Sequence, residues 1–348
     1  MKTATYHATA IQTTERARAS VVRGRASLNL RVGEWVRVRT LDEIVATLDQ
    51  SGALDGLPFM PEMTQYCGRP FRVYKSAHKT CDTITYYAIR RMKDAVHLEG
   101  LRCDGQGHDG CQAGCLLFWK DAWLERLHGD PSDQRTEVEP VTGSPIPRIL
   151  HDATREPLLP GETEQRYRCQ ATDLLRATTE VRRRERWDPR LYIKDLTSGN
   201  VTPAQFIKYG LLAMLNAFML RWRGTRYPHL CGRAGKSTPT CETNLQPGEL
   251  VQVRSRDEIL QTVNGRLTNR GLSYDVEMVR FSGSKQRVLR RVERIVDEKT
   301  GRMIRLPNPA VILEGVECSG NLSTTRMFCP RAIYPYFREI WLDRVDER

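Results

Sequence analysis

LRVGEWVRVRTLDEIVATL, residues 30–48, decides the fold because the chain contains it twice. LQPGELVQVRSRDEILQTV, residues 245–263, follows it at an offset of 215 residues. The register holds without a gap as far as Gly105 and Gly320. It runs through Asp42-Glu43-Ile44 against Asp257-Glu258-Ile259, Glu62-Met63 against Glu277-Met278, and Leu98-Glu99-Gly100 against Leu313-Glu314-Gly315. After a three-residue insertion it resumes at Trp123-Leu124 and Trp341-Leu342. A match of that extent implies tandem duplication of a unit of about 95 residues. Each unit opens on an alternating strand, Glu34 to Arg39 in the first, then a short helix over 42–48 that Asp42 and Asp257 are expected to cap. Strands near 71–74 and 95–98 and an aromatic closing segment follow. Short strands around one brief helix predict an α+β chain of two small, partly open β-barrels of SH3-like kind, joined by a helical connector.

The boundaries that follow are a basic flexible tail over 1–28, the first unit over 29–128, a linker and helical connector over 129–242, and the second unit over 243–348. Within the connector, 170–184 reads as an amphipathic helix with a very basic end. Thr202-Pro203 opens another helix, with Thr as cap and Pro in the first turn. That second helix, 203–223, is apolar nearly all round. It is expected to be a buried strut packing both units together, with contact at a membrane interface as the alternative. Lys208 and Asn216 interrupt it and argue against a membrane span.

The chain has 348 residues, 40% apolar and 28% charged, with a net charge of +12. The basic excess suits acidic small molecules, anionic surfaces or nucleic acid. Acids lie among the arginines of 182–186 and 287–294, and no aromatic base-stacking strand is evident, which weighs against a sequence-specific nucleic-acid module without excluding one. Ten cysteines with no secretory signal favour reduced thiols and metal ligands in the cytoplasm over disulfides.

The repeat sorts those cysteines. Cys103 pairs with Cys318 and Cys111 with Cys329, while Cys115 faces Ile333 and Cys81 faces Val296. A thiolate metal site needs about four converging donors. Two sets satisfy that count: Cys103, Cys111 and Cys115 with Cys169, and Cys231, Cys241, Cys318 and Cys329. CDGQGHDGCQAGC, residues 103–115, lacks the paired C-x2-C knuckles of a zinc ribbon. Its loose, Gly-rich spacing favours an iron–sulfur cluster over zinc. His78 and His108 are candidate ligands or proton carriers, Cys81 is a candidate reactive thiol, and Glu99 is a candidate proton carrier on its strand. An ion pair with Arg72 is the plainer reading of Glu99.

GLPFMPEM, KTCDT, LEGLRCDG with GCQAGCLLFWKDAWL, WDPRLYIKDLTSGN and FCPRAIYPYFREIWL together resemble an uncharacterised bacterial family associated with natural-product and exopolysaccharide gene clusters. The resemblance covers residue 30 to the C-terminus and implies a biosynthetic setting, with no catalytic residue attached. The expected function is a Cys-ligated metalloprotein, a biosynthetic enzyme with redox, sulfur-transfer or Lewis-acid chemistry in the first unit. It would act on a small or acidic substrate, with a partner protein as a further expectation. A nucleic-acid-binding tandem barrel with structural zinc and a metal-stabilised scaffold are the competing readings.

Overall fold

The computed structural model describes residues 27–346 except 86–88, 130–145, 159, 162, 183 and 324. The expected tail therefore falls outside the described residues, apart from Ser27 and Leu28, which donate to the Asp121 carboxylate.

The chain is a mixed α and β structure with several antiparallel sheets. In chain order the first half contains β1 (Trp35–Val38), α1 (Leu41–Val45), β2 (Pro70–Ser76), β3 (Lys79–Cys81), β4 (Ile89–Arg91), β5 (Ala95–Arg102), β6 (Leu116–Lys120) and β7 (Leu124–Arg126). The middle contributes α2 (Arg148–Asp152), α3 (Leu174–Ala177), β8 (Thr179–Glu180), α4 (Pro189–Thr197) and α5 (Pro203–Arg223). The second half adds β9 (Leu250–Val253), α6 (Arg256–Thr262), β10 (Lys285–Val296), β11 (Met303–Leu313), β12 (Phe337–Arg338) and β13 (Leu342–Arg344).

One five-stranded sheet runs β6-β5-β2-β1-β7 and the other β12-β11-β10-β9-β13. Trp35 pairs with Arg72 as Leu250 pairs with Arg287, and Val96 pairs with Trp119 as Val311 pairs with Phe337. Strand alternation puts Val36 and Val38, and likewise Val251 and Val253, into their cores. In each half a buried tryptophan donates its indole N–H to a threonine, Trp123 to Thr47 and Trp341 to Thr262. The short helices are capped by Thr40 and Ser255 in capping boxes closed by Glu43 and Glu258, not by Asp42 and Asp257. The T-x-x-E and S-x-x-E spacing carries that signal.

The halves meet directly. Arg102 pairs with Glu317 at 2.7 Å, and Thr83 donates to Glu298; both contacts join positions 215 residues apart. Two further bonds are reciprocal: the Cys81 N–H donates to Cys329 Sγ at 3.1 Å, and the Val296 N–H donates to Cys111 Sγ at 3.3 Å.

Two expectations for the connector are corrected. Among the described residues of 170–184 the helical part is the single turn α3, followed by β8, which pairs with β4. The cause is Gln170, whose buried amide bonds both the N–H and the C=O of Phe118 and the C=O of Pro58, and so fixes the segment against the sheet. Helix α5 forms as expected, with a Thr202 capping box and an αL Gly224 at its end. It is not a buried strut. Leu215 is 50% exposed and Trp222 is 74% exposed, and only Asn216 is buried along the helix. Its contact with the second half is at its start, where the Phe206 ring stacks on Phe328 at 5.8 Å. The halves contact each other directly through loop and strand ends, without the helix between them. Among the described residues no helix is long and apolar enough to cross a membrane.

Leu215→Asp should therefore change stability by no more than about 0.5 kcal/mol, as at other surface positions. Trp119→Ala, in the core, should cost about 3–5 kcal/mol. Thermal and denaturant unfolding of the two variants checks the contrast.

Candidate metal centre

Three donors from three separate segments converge. Glu62 lies on the 3-10 turn Pro61–Tyr66, Cys103 follows β5, and His108 ends the 3-10 turn Gln106–His108. Their ligand atoms all lie within 4.8 Å of one another, and Glu62 and His108 are buried. The loop that carries two of them needs glycine at position 105. Its φ is +79°, and a Cβ there would stand 1.9 Å from the Cys111 carbonyl oxygen. The His108 and Gly110 N–H groups both bond the Gly105 carbonyl, and the Cys103 N–H bonds the Cys115 carbonyl, which closes the loop at its base.

The hydrogen bonds leave the right atoms free for an ion. His108 Nε2 is 3.1 Å from the Arg168 carbonyl oxygen and donates to it, which leaves the Nδ1 lone pair available. Cys103 Sγ donates to Glu62 Oε1 at 3.1 Å, whereas Glu62 Oε2 is buried with no partner. An orphaned buried carboxylate oxygen is costly unless a cation or water meets it. Burial, reinforced by the Glu62 carboxylate, holds the Cys103 thiol well above its ordinary range, so an arriving ion must displace its proton.

Cys111, Cys115 and Cys169 line the same small cavity as Glu62, Cys103 and His108, and so does the buried Arg331. Burial pushes the Cys169 thiol up to about 12 and raises Cys115 as well. The cavity holds about 30 Å³, room for an ion or one water. Glu62 and Gly107 also line a cleft of about 600 Å³ with Asp104, His151, Asp152 and Arg155. Glu62 thus stands in the wall between the donor cluster and a substrate-sized space.

The other candidate residues are placed elsewhere. Cys318, Cys329 and Cys81 draw together at the contact between the halves. Cys231 and Cys241 are exposed and do not line the cavity of Cys318 and Cys329. His78 lies in a buried cluster where Lys79 and Asp195 form an ion pair, and burial lowers the His78 pKa to about 3. Glu99 is exposed on β5, because the bulge between His97 and Arg102 turns it outward. All ten cysteines are free thiols.

Glu62 was missed in the sequence, although it is one of the acids that recur at the 215-residue offset. The comparison with its counterpart is instructive. Glu277 is saturated by Ser319 Oγ and the N–H groups of Leu322 and Ser323. Where the His108 carbonyl accepts from the Cys111 N–H in the first loop, the Arg326 carbonyl accepts from the Cys329 N–H in the second. Arginine therefore replaces the imidazole in the second half.

A methyl at Gly107 would sit 3.0 Å from Glu62 Oε2. Gly107→Ala should therefore weaken metal binding about tenfold or more, the scale of an altered outer shell. The melting temperature of the metal-free protein should be unchanged, and titration calorimetry with thermal unfolding tests both. Comparison with family models, curated proteins and solved structures found no match to the chain.

Proposed function

We propose that the protein is a metal-dependent enzyme acting on a small polar molecule, with Glu62, Cys103 and His108 holding one zinc-class ion. The observation that carries this reading is the Glu62 oxygen left buried and unpaired beside a thiol and a free imidazole nitrogen. One carboxylate, one thiolate and one imidazole make a donor set suited to zinc, and three protein ligands leave a position for water or substrate. When bound, the ion supplies Lewis acidity to a group presented from the cleft. Arg155 and His151 line that cleft and suit an anionic or hydrogen-bonding substrate. A cytoplasmic, bacterial biosynthetic setting belongs to the same proposal.

A second reading is an iron–sulfur cluster on Cys103, Cys111, Cys115 and Cys169, favoured because the four thiols line one cavity. Against it, the cavity holds only about 30 Å³, room for a single ion and not for a cluster.

The scaffold is read as two SH3-like units derived by duplication. Support comes from the shared strand order, the matching registers, and the 3-10 turn before the last strand of each sheet, Asp121–Trp123 and Glu339–Trp341.

Metal analysis of the purified full-length chain should give one equivalent of zinc and no visible absorption. Cys103→Ser and His108→Ala should each lose the metal, and with it about 2.7 kcal/mol of stabilisation at a hundredfold excess over the dissociation constant. Full occupancy in the double variant, or the broad visible absorption of thiolate-ligated iron, would overturn the zinc reading.

A further inference from the structure

A second cavity, of about 300 Å³, lies between the halves and is lined by Cys318 and Cys329 together with Lys75, Arg280, Asn200 and Ser319. Lys75 donates to the Asn200 carbonyl and Arg280 to the Glu317 carbonyl, so both cations are held at the cavity by neutral oxygens. The one carboxylate in the lining, Glu317, is already paired with Arg102 and with the Tyr74 hydroxyl. Behind the lining, Asp195 is paired with Lys79, Asp275 with Arg326, and Glu277 is engaged by Ser319, Leu322 and Ser323, so Lys75 and Arg280 are the charges presented to the cavity without a carboxylate partner. Cys329 Sγ accepts the Cys81 N–H at 3.1 Å, which is short for a sulfur acceptor. The buried Lys79 ammonium lies over the neighbouring Phe328 ring at 5.7 Å.

We propose that this cavity is a binding site for a small carboxylic or phosphoric acid bearing an activated carbon, and that Cys329 is the nucleophile that attacks it. The Cys81 thiol donates to Cys329, which lowers Cys329 below the ordinary thiol range and raises Cys81 well above it. The charge settles on Cys329 because it also accepts backbone N–H groups. Cys318, by contrast, is pushed up to about 12 by burial and stays protonated. In the reaction the Cys329 lone pair forms the S–C bond and the leaving group departs with its bonding pair. The proton stays on Cys81, and no oxidant is needed.

Alkylation with iodoacetate and iodoacetamide, followed by peptide mass spectrometry, tests this on the intact protein. The exposed Cys231 and Cys241 serve as internal controls. Relative to those controls, Cys329 should favour the anionic reagent by about tenfold or more. Arg280→Gln should remove the preference, and Lys75→Gln gives a second test should that variant fail to fold. Cys103→Ser, which disables the proposed metal centre, should leave the preference unchanged. A Cys329 that reacts no faster than Cys318, or that shows the controls' reagent ratio, would overturn the proposal.

Helix α5 carries an independent inference. Ile207, Leu211, Met214, Leu215, Phe218 and Trp222 are all exposed and fall within about 100° of arc at 3.6 residues per turn. Lys208 and Arg221 flank this stripe, Arg223 ends the helix, and residues 203–223 include no acid. A second copy of the same helix would bring cations against cations, whereas a lipid surface of negative charge matches both the stripe and its flanks. We infer that α5 lies in the interface of an anionic membrane. The full-length protein should co-sediment with vesicles of phosphatidylglycerol and phosphatidylcholine but not with phosphatidylcholine alone. Phe218→Ser should weaken that binding about tenfold, a loss that attraction of the basic chain as a whole would not produce. Binding unchanged in Phe218→Ser, or no binding with a dimer that the same change dissociates, would contradict the inference.

Discussion

Two sulfur atoms, each held by a backbone N–H from the opposite half, set the arrangement on which the rest depends. Cys111 is gripped by the end of β10, and Cys329 by the end of β3. Gln112 adds to the first grip, its side-chain oxygen accepting from the Glu293 and Arg294 N–H groups. Loop 103–115 is closed by its own hydrogen bonds and then pinned to the second half through Cys111 and Gln112. Cys103 and His108 sit on that loop, so the donor cluster is buttressed by the contact between the halves.

Positions that correspond between the two halves are used in unlike ways. Glu277 spends both its oxygens holding the second loop, while Glu62 keeps one buried oxygen unpaired. That single difference in hydrogen bonding separates a structural carboxylate from a candidate ligand. The reactive thiol of the other cavity arises from the contact itself, since Cys81 and Cys329 come from opposite halves. The two centres thus draw on one constraint but are chemically separate.

Much of this was legible in the sequence. The 215-residue offset marked the two halves as alike, and alternation marked the buried faces of β1 and β9; the strand order and the pairings were not legible, because they depend on contacts between distant segments. The gathering of Cys103, Cys111, Cys115 and Cys169 around one space was within reach from the density of thiols in 103–115 and the need of a thiolate site for about four donors. The partners of Cys318 and Cys329 were not, because the convergence of Cys81 with them depends on how the halves dock, which no local pattern encodes. Glu62 was hidden because a recurring acid looks the same whether it is saturated or free. Helix α5 misled because an apolar pattern reports that a surface shuns water but not what covers it, and a core of the same chain is only one such cover.

X-ray absorption at the metal edge of the loaded, full-length protein tests the central claim most directly. One sulfur at about 2.3 Å with two or three lighter ligands at about 2.0–2.2 Å is the shell that Glu62, Cys103 and His108 impose. A shell of four sulfurs with no nitrogen or oxygen would contradict the account.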